Sequence, residues 1–498
     1  MDAISFGTDG WRATLDAVTV PRVRAVGQAV ATHLADEGRA DAAVAVGYDA
    51  RPSSPAFAEE LSRTVAANGF DVYLAERDCP TPLVAWAIEQ RELAGGLTVT
   101  ASHNPPDYNG VKFIPADAAP ALPDVTAAIE AGLAEPRVRP EGEWGAIREV
   151  DFAESHATHA LDIARRYAPG TSNDNASADA PDASGVRTAD VESASAGEAT
   201  LLDGLTVAYD AMHGSGRGVT DALLERAGAN VDRLRCDRDR EFGGVAPEPS
   251  ADRLGALIER VAAGPAALGI ANDGDADRLA VVTPGRGHLD ENLFFAALYD
   301  FLLETESGPA VRTVSTTFLI DRIAAASGEE TVETPVGFKW VAQAMAERDV
   351  LVGGEESGGF SVRGHVREKD GVLLALLAAL AESEQPFDDR IDRLFDEHGA
   401  IRQSKTSVDC PDAEKGRVLG ALEDDLPERI AGEAVAEVVT LDGFKLLLDD
   451  GSWVLVRPSG TEPVLRVYAE AGSEARVAEL LDAGRALIEP LVDTTEGR

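Results

Sequence analysis

The sequence predicts a multidomain α/β protein: three similar mixed α/β domains, then a C-terminal α+β domain. Three observations lead there. Apolar strand-like runs alternate with helix-like runs through most of the chain, and the last hundred or so residues alternate instead as antiparallel strands. At 498 residues the chain is also too long for a single core.

The elements follow in order. After the polar stretch Gly7-Thr8-Asp9-Gly10-Trp11-Arg12, Pro21 opens a helix that Gly38 stops. Val44 to Tyr48 is a strand, Pro55 opens a helix closed by Gly69, and Phe70 to Leu74 is the next strand. A helix after Pro82 leads into a β-branched strand that ends at Ser102-His103-Asn104-Pro105-Pro106, where two prolines stop it. Residues 170–200 carry Ser, Ala, Asp, Asn and Gly with almost no large apolar side chains, which predicts a disordered acidic linker or insertion.

Alternation resumes with a strand at Leu205 to Asp210, a glycine-rich turn at His213 to Gly216 and a helix from Val219. A strand at Ala267 to Ala271 delivers Asp273-Gly274-Asp275-Ala276-Asp277-Arg278. From about Glu291 a third unit predicts a strand at Val311 to Thr317, a loop at Gly337-Phe338-Lys339-Trp340, and a strand from Val350 ending in Gly354-Glu355-Glu356-Ser357-Gly358-Gly359. Val372 to Leu380, the longest apolar run, is far too short for a membrane span and predicts a buried helix. In the final unit Asp450-Gly451 is a hairpin turn, and Arg457-Pro458-Ser459-Gly460-Thr461 joins two strands.

Composition excludes several function classes. A formal charge of −42 repels nucleic acid and anionic membranes, so neither is an expected partner. It would repel an anionic substrate too, so a phosphate site must be built from local positive groups. Only six lysines are present, and an acidic, lysine-poor surface resembles that of proteins from salt-loving archaea. Cys79, Cys236 and Cys410 are too few and too far apart for a disulfide framework or a zinc site. With no apolar run near Met1, the expected location is the cytoplasm.

Four stretches carry chemistry. On alternate residues of an extended segment, Asp273, Asp275 and Asp277 would share one face, and three close carboxylates call for a cation. Hard oxygen ligands suit Mg²⁺ carrying a phosphate. An EF-hand would need glycine at Arg278 and glutamate at Pro284; a solvated acidic turn is the bland alternative. In the Arg457–Thr461 loop, backbone N–H groups, hydroxyls and a guanidinium can wrap a phosphate. Glu355 and Ser357 can bond sugar hydroxyls. Ser102 stands at the end of a strand, where open sheets carry reactive groups, although such a serine more often caps its own turn.

Taken together and in this order, Thr100-Ala-Ser102-His-Asn-Pro, Asp273-Gly-Asp-Ala-Asp-Arg278, Gly354-Glu-Glu-Ser-Gly and Arg457-Pro-Ser-Gly-Thr461 resemble the α-D-phosphohexomutase superfamily. The resemblance implies domains at 1–166, 201–290, 291–395 and 396–498 around a central cleft, the last with a TATA-binding-protein-like fold. It implies a phosphorylated Ser102, with Ser102, Asp273, Asp275 and Asp277 holding Mg²⁺. Lys112 would be a general acid/base, with Arg12 and Arg278 near the reacting phosphate. Glu355, Ser357 and Lys339 would bind the sugar, and Arg457, Ser459, Gly460 and Thr461 its second phosphate. The expected partner is a phosphorylated hexose, with a sugar 1,6-bisphosphate as activator and intermediate, acting on a monomer or homodimer.

Phe338-Lys339-Trp340, Gly359 and Glu368-Lys369-Asp370-Gly371 resemble the phosphoglucomutase pattern, so interconversion of glucose 1-phosphate and glucose 6-phosphate is expected. Phosphomannomutase or dual specificity is the alternative, and a phosphoglucosamine mutase is the less favoured one. A phosphatase acting through the same serine, or a non-catalytic sugar-phosphate sensor, are the readings from other classes.

Overall fold

In the computed structural model, residues 4–7, 10–169 and 201–493 are described. The linker expected at 170–200 lies outside them, as do Thr8 and Asp9.

The first sheet orders strands Trp11–Thr14, Tyr108–Pro115, Gly95–Val99, Val44–Tyr48, Val72–Ala75 and Ile147–Val150. The last four run parallel, and the first two pair antiparallel along one edge. Gly95–Val99 is buried throughout, as expected for a strand covered on both faces.

The second sheet orders Gly287–Leu289, Leu279–Thr283, Leu268–Asn272, Thr206–Asp210 and Asn230–Leu234. The third orders Thr331–Thr334, Ala310–Thr313, Val352–Gly354 and Phe360–Val362. All three share one device: a strand running parallel to its inner neighbour turns back as an antiparallel hairpin. The three hairpin turns carry Ser102, the aspartates, and Glu355 with Ser357. Topology therefore puts each motif beyond the carboxyl end of a parallel strand, where α/β sheets bind ligands.

The fourth sheet is antiparallel throughout: Arg402–Asp409, Val464–Ala471, Trp453–Pro458, Phe444–Leu448, Glu433–Val439 and Arg429–Ile430. Period-two alternation sorts its side chains. Val454, Val456, Leu465 and Val467 pack under helices Asp412–Glu423 and Glu474–Asp493. Trp453, Leu455 and Tyr468 face the other way, onto Val314 and Phe318 of the third unit.

Helix Gly371–Glu384 is buried from Gly371 to Glu382 and packs against elements of all three α/β units. Asp370 starts it: Oδ1 accepts from the N–H groups of Val372 and Leu373 at 2.9 and 2.8 Å. Among the described residues no helix is long and apolar enough to cross a membrane.

Three local expectations are corrected. The strand expected at Val311 to Thr317 ends at Thr313, because Thr316 N–H turns back onto the Thr313 carbonyl. Phe338-Lys339-Trp340 is not a loop but the first turn of helix Phe338–Glu347, entered through Gly337 at φ +123°. The aspartates lie on a tight turn rather than an extended segment, with Ala276 left-handed at φ +53°.

Candidate active site

A buried arginine shapes the serine loop. Arg51, fully buried and paired with Asp49 at 2.9 Å, donates to the carbonyls of Ser102, Asn104, Pro105 and Tyr108 at 2.6–3.1 Å. Asp49 Oδ2 also accepts from Thr100 Oγ1, whose oxygen accepts from Ser102 N–H. These bonds hold Ser102 at φ +49°, a left-handed conformation costing a non-glycine residue ~1–2 kcal/mol. The serine is 1 % exposed, and its hydroxyl donates to Asp273 Oδ2 at 2.8 Å. Gly274 permits this approach, since a Cβ there would stand 2.5 Å from the Ser102 carbonyl oxygen.

Ligating oxygens of Asp273, Asp275 and Asp277 lie within 4.8 Å of one another, and all three residues are buried. The turn docks on the first unit: Thr81 donates to Asp275 from its backbone N–H and from Oγ1, to Oδ2 at 2.8 Å. Burial, and then the neighbouring carboxylates, push Asp273 well above the usual range and raise Asp275. Burial acts on Asp277 too, but Lys369, Lys112 and Arg278 outweigh it and hold that carboxyl low. Asp275 Oδ1 is buried and accepts no hydrogen bond. Three converging hard oxygens, one of them with unused lone pairs, fit a divalent cation such as Mg²⁺.

Positive groups surround the pair of turns. Lys369 Nζ is 2.8 Å from Asp277 Oδ2, and Lys112 Nζ lies 3.9 Å from that oxygen and 3.0 Å from Glu368 Oε2. Arg278 Nε is 3.9 Å from Asp277 Oδ1. The field shows at His103, beside Ser102: Arg278 first, then burial and Arg12, depress its imidazole to about 2. Despite a charge of −42, four cationic side chains, Arg12, Arg278, Lys112 and Lys369, are gathered beside the three carboxylates.

In the third unit, Glu355 Oε1 accepts from Gly337 N–H at 2.9 Å and Ser357 Oγ is 3.4 Å from Glu355 Oε2. Lys339 is half-buried, its ammonium 5.6 Å from the Trp340 ring centre. Phe338 is core instead, buried among Val311, Val341 and Val350. In the fourth unit, Arg457 pairs with Asp442 at 2.9 Å, and the same carboxylate oxygen accepts from Val336 N–H. Asp442 thus ties Arg457 to the segment that Glu355 holds. Ser459 is buried, whereas Gly460 and Thr461 are exposed.

Ser102, Lys112, Arg12, Arg278 and the aspartates therefore gather around one point, with Glu355 close enough to act on Arg278. The fourth-unit loop joins through Asp442. Sequence reasoning missed Arg51, Thr81, Asp442 and Lys415, whose Nζ donates to the carbonyls of Ser459 and Glu462 at 2.6 and 2.7 Å. Two signals were available: Asp49-Ala-Arg51 directly follows a strand, and Lys415 is one of six lysines.

Models of the phosphoglucomutase/phosphomannomutase family match the chain four times: alpha/beta/alpha domain I at 3–138, domain II at 188–287, domain III at 290–398 and the C-terminal domain at 407–486. A phosphoglucomutase/phosphomannomutase of Thermococcus kodakarensis is 31% identical over 488 residues, spanning 97% of this chain and 98% of the relative. A probable phosphoglucosamine mutase of Methanothermobacter thermautotrophicus is 29% identical over 493 residues, 98% of each. The crystal structure of a putative phosphomannomutase from Thermus thermophilus superposes with a TM-score of 0.79 at 29% identity, covering 98% of this chain and 99% of that one.

Proposed function

The chain belongs to the phosphoglucomutase/phosphomannomutase family and is a mutase, and on that premise we propose that it interconverts glucose 1-phosphate and glucose 6-phosphate through a phosphorylated Ser102. The observation that carries this reading is the Ser102 hydroxyl on Asp273, inside a three-carboxylate turn ringed by Arg12, Arg278, Lys112 and Lys369.

Phosphoryl transfer needs mainly positioning and charge neutralisation. Held by Asp273, Asp275 and Asp277, Mg²⁺ would supply part of that neutralisation. The protein's own groups do the rest. The bond from Ser102 Oγ to phosphorus breaks as a sugar hydroxyl oxygen bonds to phosphorus. The hydroxyl's proton ends on Ser102 Oγ, with Lys112 Nζ as its carrier. The resulting bisphosphate turns over, and its other phosphoryl group returns to Ser102. Glu355 and Ser357 accept from sugar hydroxyls, while Arg457, Ser459, Gly460 and Thr461 hold the idle phosphate.

The support for glucose is the resemblance of Gly359 and Glu368-Lys369-Asp370-Gly371 to the phosphoglucomutase pattern, and that resemblance has a packing counterpart. The Lys369 stem crosses the place a side chain on Gly359 would fill, so the glycine and the lysine on Asp277 belong together. The relative named a probable phosphoglucosamine mutase makes glucosamine phosphates the rival substrate. Parallel kinetics on glucose, mannose and glucosamine 1-phosphates, primed with glucose 1,6-bisphosphate, test the reading. Highest kcat/KM is expected for glucose, with phosphate on Ser102 in the peptide map. Phosphate release without isomerised sugar would point to a phosphatase, and full activity of Ser102→Ala would overturn the phosphoserine route.

A further inference from the structure

Three of the chain's eight histidines meet where the first unit touches the third. His159, on helix Ala153–Tyr167, stacks on Trp86 at 3.8 Å and lies 5.2 Å from His365, which is itself 6.1 Å from Trp86. From the same helix, buried His156 donates from Nε2 to Asp370 Oδ2 at 2.5 Å, and His365 Nε2 reaches that oxygen at 2.8 Å.

Two imidazoles and a carboxylate within 4.8 Å are also a donor set for a transition metal. The spacing decides against it. Two ligands on one zinc ion at ~2.0 Å stand about 3.3 Å apart, whereas these separations are those of N–H···O bonds. Metal on His365 Nε2 would also leave the proton on Nδ1, which is buried with no hydrogen-bond partner.

Asp370 thus accepts four hydrogen bonds, two from the imidazoles and two from the start of helix Gly371–Glu384. Its backbone is tied on both sides: Asp370 N–H donates to the Phe360 carbonyl, and Gly371 N–H to the Ala276 carbonyl inside the aspartate turn. The two residues before it are Lys369, on Asp277, and Glu368, on Lys112.

We propose that His156 is a positioning residue for phosphoryl transfer: acting from the first unit through Asp370, it keeps Lys369 on Asp277 and Glu368 on Lys112. The proposal rests on the reading that the aspartate turn is the reaction centre.

The test uses His156→Phe, which keeps a ring in place but cannot donate, and His156→Gln, which can. An inactive wild-type protein would defeat the functional reading rather than this one. With active wild type, His156→Phe lowers kcat about 10–100-fold, as small misplacements near reacting groups do, while KM stays within about threefold. His156→Gln recovers most of that kcat. A folded His156→Phe with wild-type kcat and only a lower Tm would overturn the proposal. So would a loss confined to KM, or a His156→Gln as impaired as His156→Phe. If His156→Phe does not fold, a folded His156→Gln with kcat near wild type supports the proposal, and one with a tenfold lower kcat sinks it.

Discussion

The Ser102 hydroxyl donates to Asp273 at 2.8 Å across 171 residues of sequence and a boundary between two sheets. A free serine has that proton to give, and a phosphorylated one does not. Phosphorylation would also add charge of about −1.5 to −2 beside three buried carboxylates. The arrangement is stable in both states only if cations follow the charge, which Arg12, Arg278, Lys112 and Lys369 are placed to do and a divalent ion held by the aspartates would assist.

Asp275→Asn tests the ion's share. The carboxyl is raised by burial and by Asp277, so in metal-free protein its charge is a liability. Thr81 Oγ1 can donate to the amide oxygen as it does to Oδ2. The variant should need roughly tenfold or more Mg²⁺ for half-maximal activity, while its Tm in chelator equals or exceeds that of wild type. An unchanged Mg²⁺ titration would remove Asp275 from the metal set.

How much of this could be read from the sequence depended on the range of the interaction. The four motif stretches were legible because each is contiguous and stands where a strand ends, as Ser102 and Glu355 do. The aspartates converge as expected, although through a turn, since nothing local announces the left-handed Ala276. Helix Phe338–Glu347 begins where the sequence suggests a loop, because its entry residue, Gly337 at φ +123°, carries no local helix-start signal. Arg51 and Asp442 were harder to read for another reason: each also bonds a group about 50 residues away or in another unit, and single charges carry no period.

Glu382 gives stability a pH dependence away from the site. It is 7 % exposed, and burial, against the Phe387 N–H it accepts, raises its carboxyl from 4.5 to about 7. The folded state then binds more protons than the unfolded one between those values. That stabilisation is complete below the unfolded pKa and lost as pH rises through about 7. The shift corresponds to roughly 3 kcal/mol. Glu382→Gln should therefore raise Tm over wild type at pH 8 and leave a much smaller gap at pH 4.5. Equal gaps at the two pH values would exclude Glu382 as the source.

Net charge of −42 predicts that salt stabilises the fold. Self-repulsion across an acidic surface weakens as the Debye length falls to ~3 Å at 1 M salt. Tm should rise steadily from dilute buffer to molar KCl. Identical midpoints at both ends would rule out self-repulsion among the excess negative charges as a load on the fold.

Substrate preference should divide Lys339 from Phe338, which are adjacent in sequence. Phe338 is 1 % exposed in the core of the third unit, so Phe338→His buries a polar ring among valines and should lower Tm. It has no route to the sugar and should leave the glucose-to-mannose ratio of kcat/KM unchanged. Lys339 is half-buried at the first turn of the same helix, two residues from the Gly337 N–H that Glu355 holds. Its ammonium can donate to a hydroxyl or phosphate oxygen, and a site that bonds the right hydroxyl rejects an epimer strongly because mispairing strands buried polar groups. Glucose and mannose differ only at C2, so Lys339→Met should narrow the ratio if Lys339 reads that carbon. Glu355→Ala, by contrast, should cut both sugars alike, by about 100-fold, through hydroxyls they share. Parallel kinetics on both sugar 1-phosphates with the three variants, alongside their melting curves, checks the division. A Lys339→Met enzyme that loses both sugars equally would move the lysine to the phosphate, and a Phe338→His enzyme with a changed ratio would show that the helix start, not the side chain it presents, shapes the pocket.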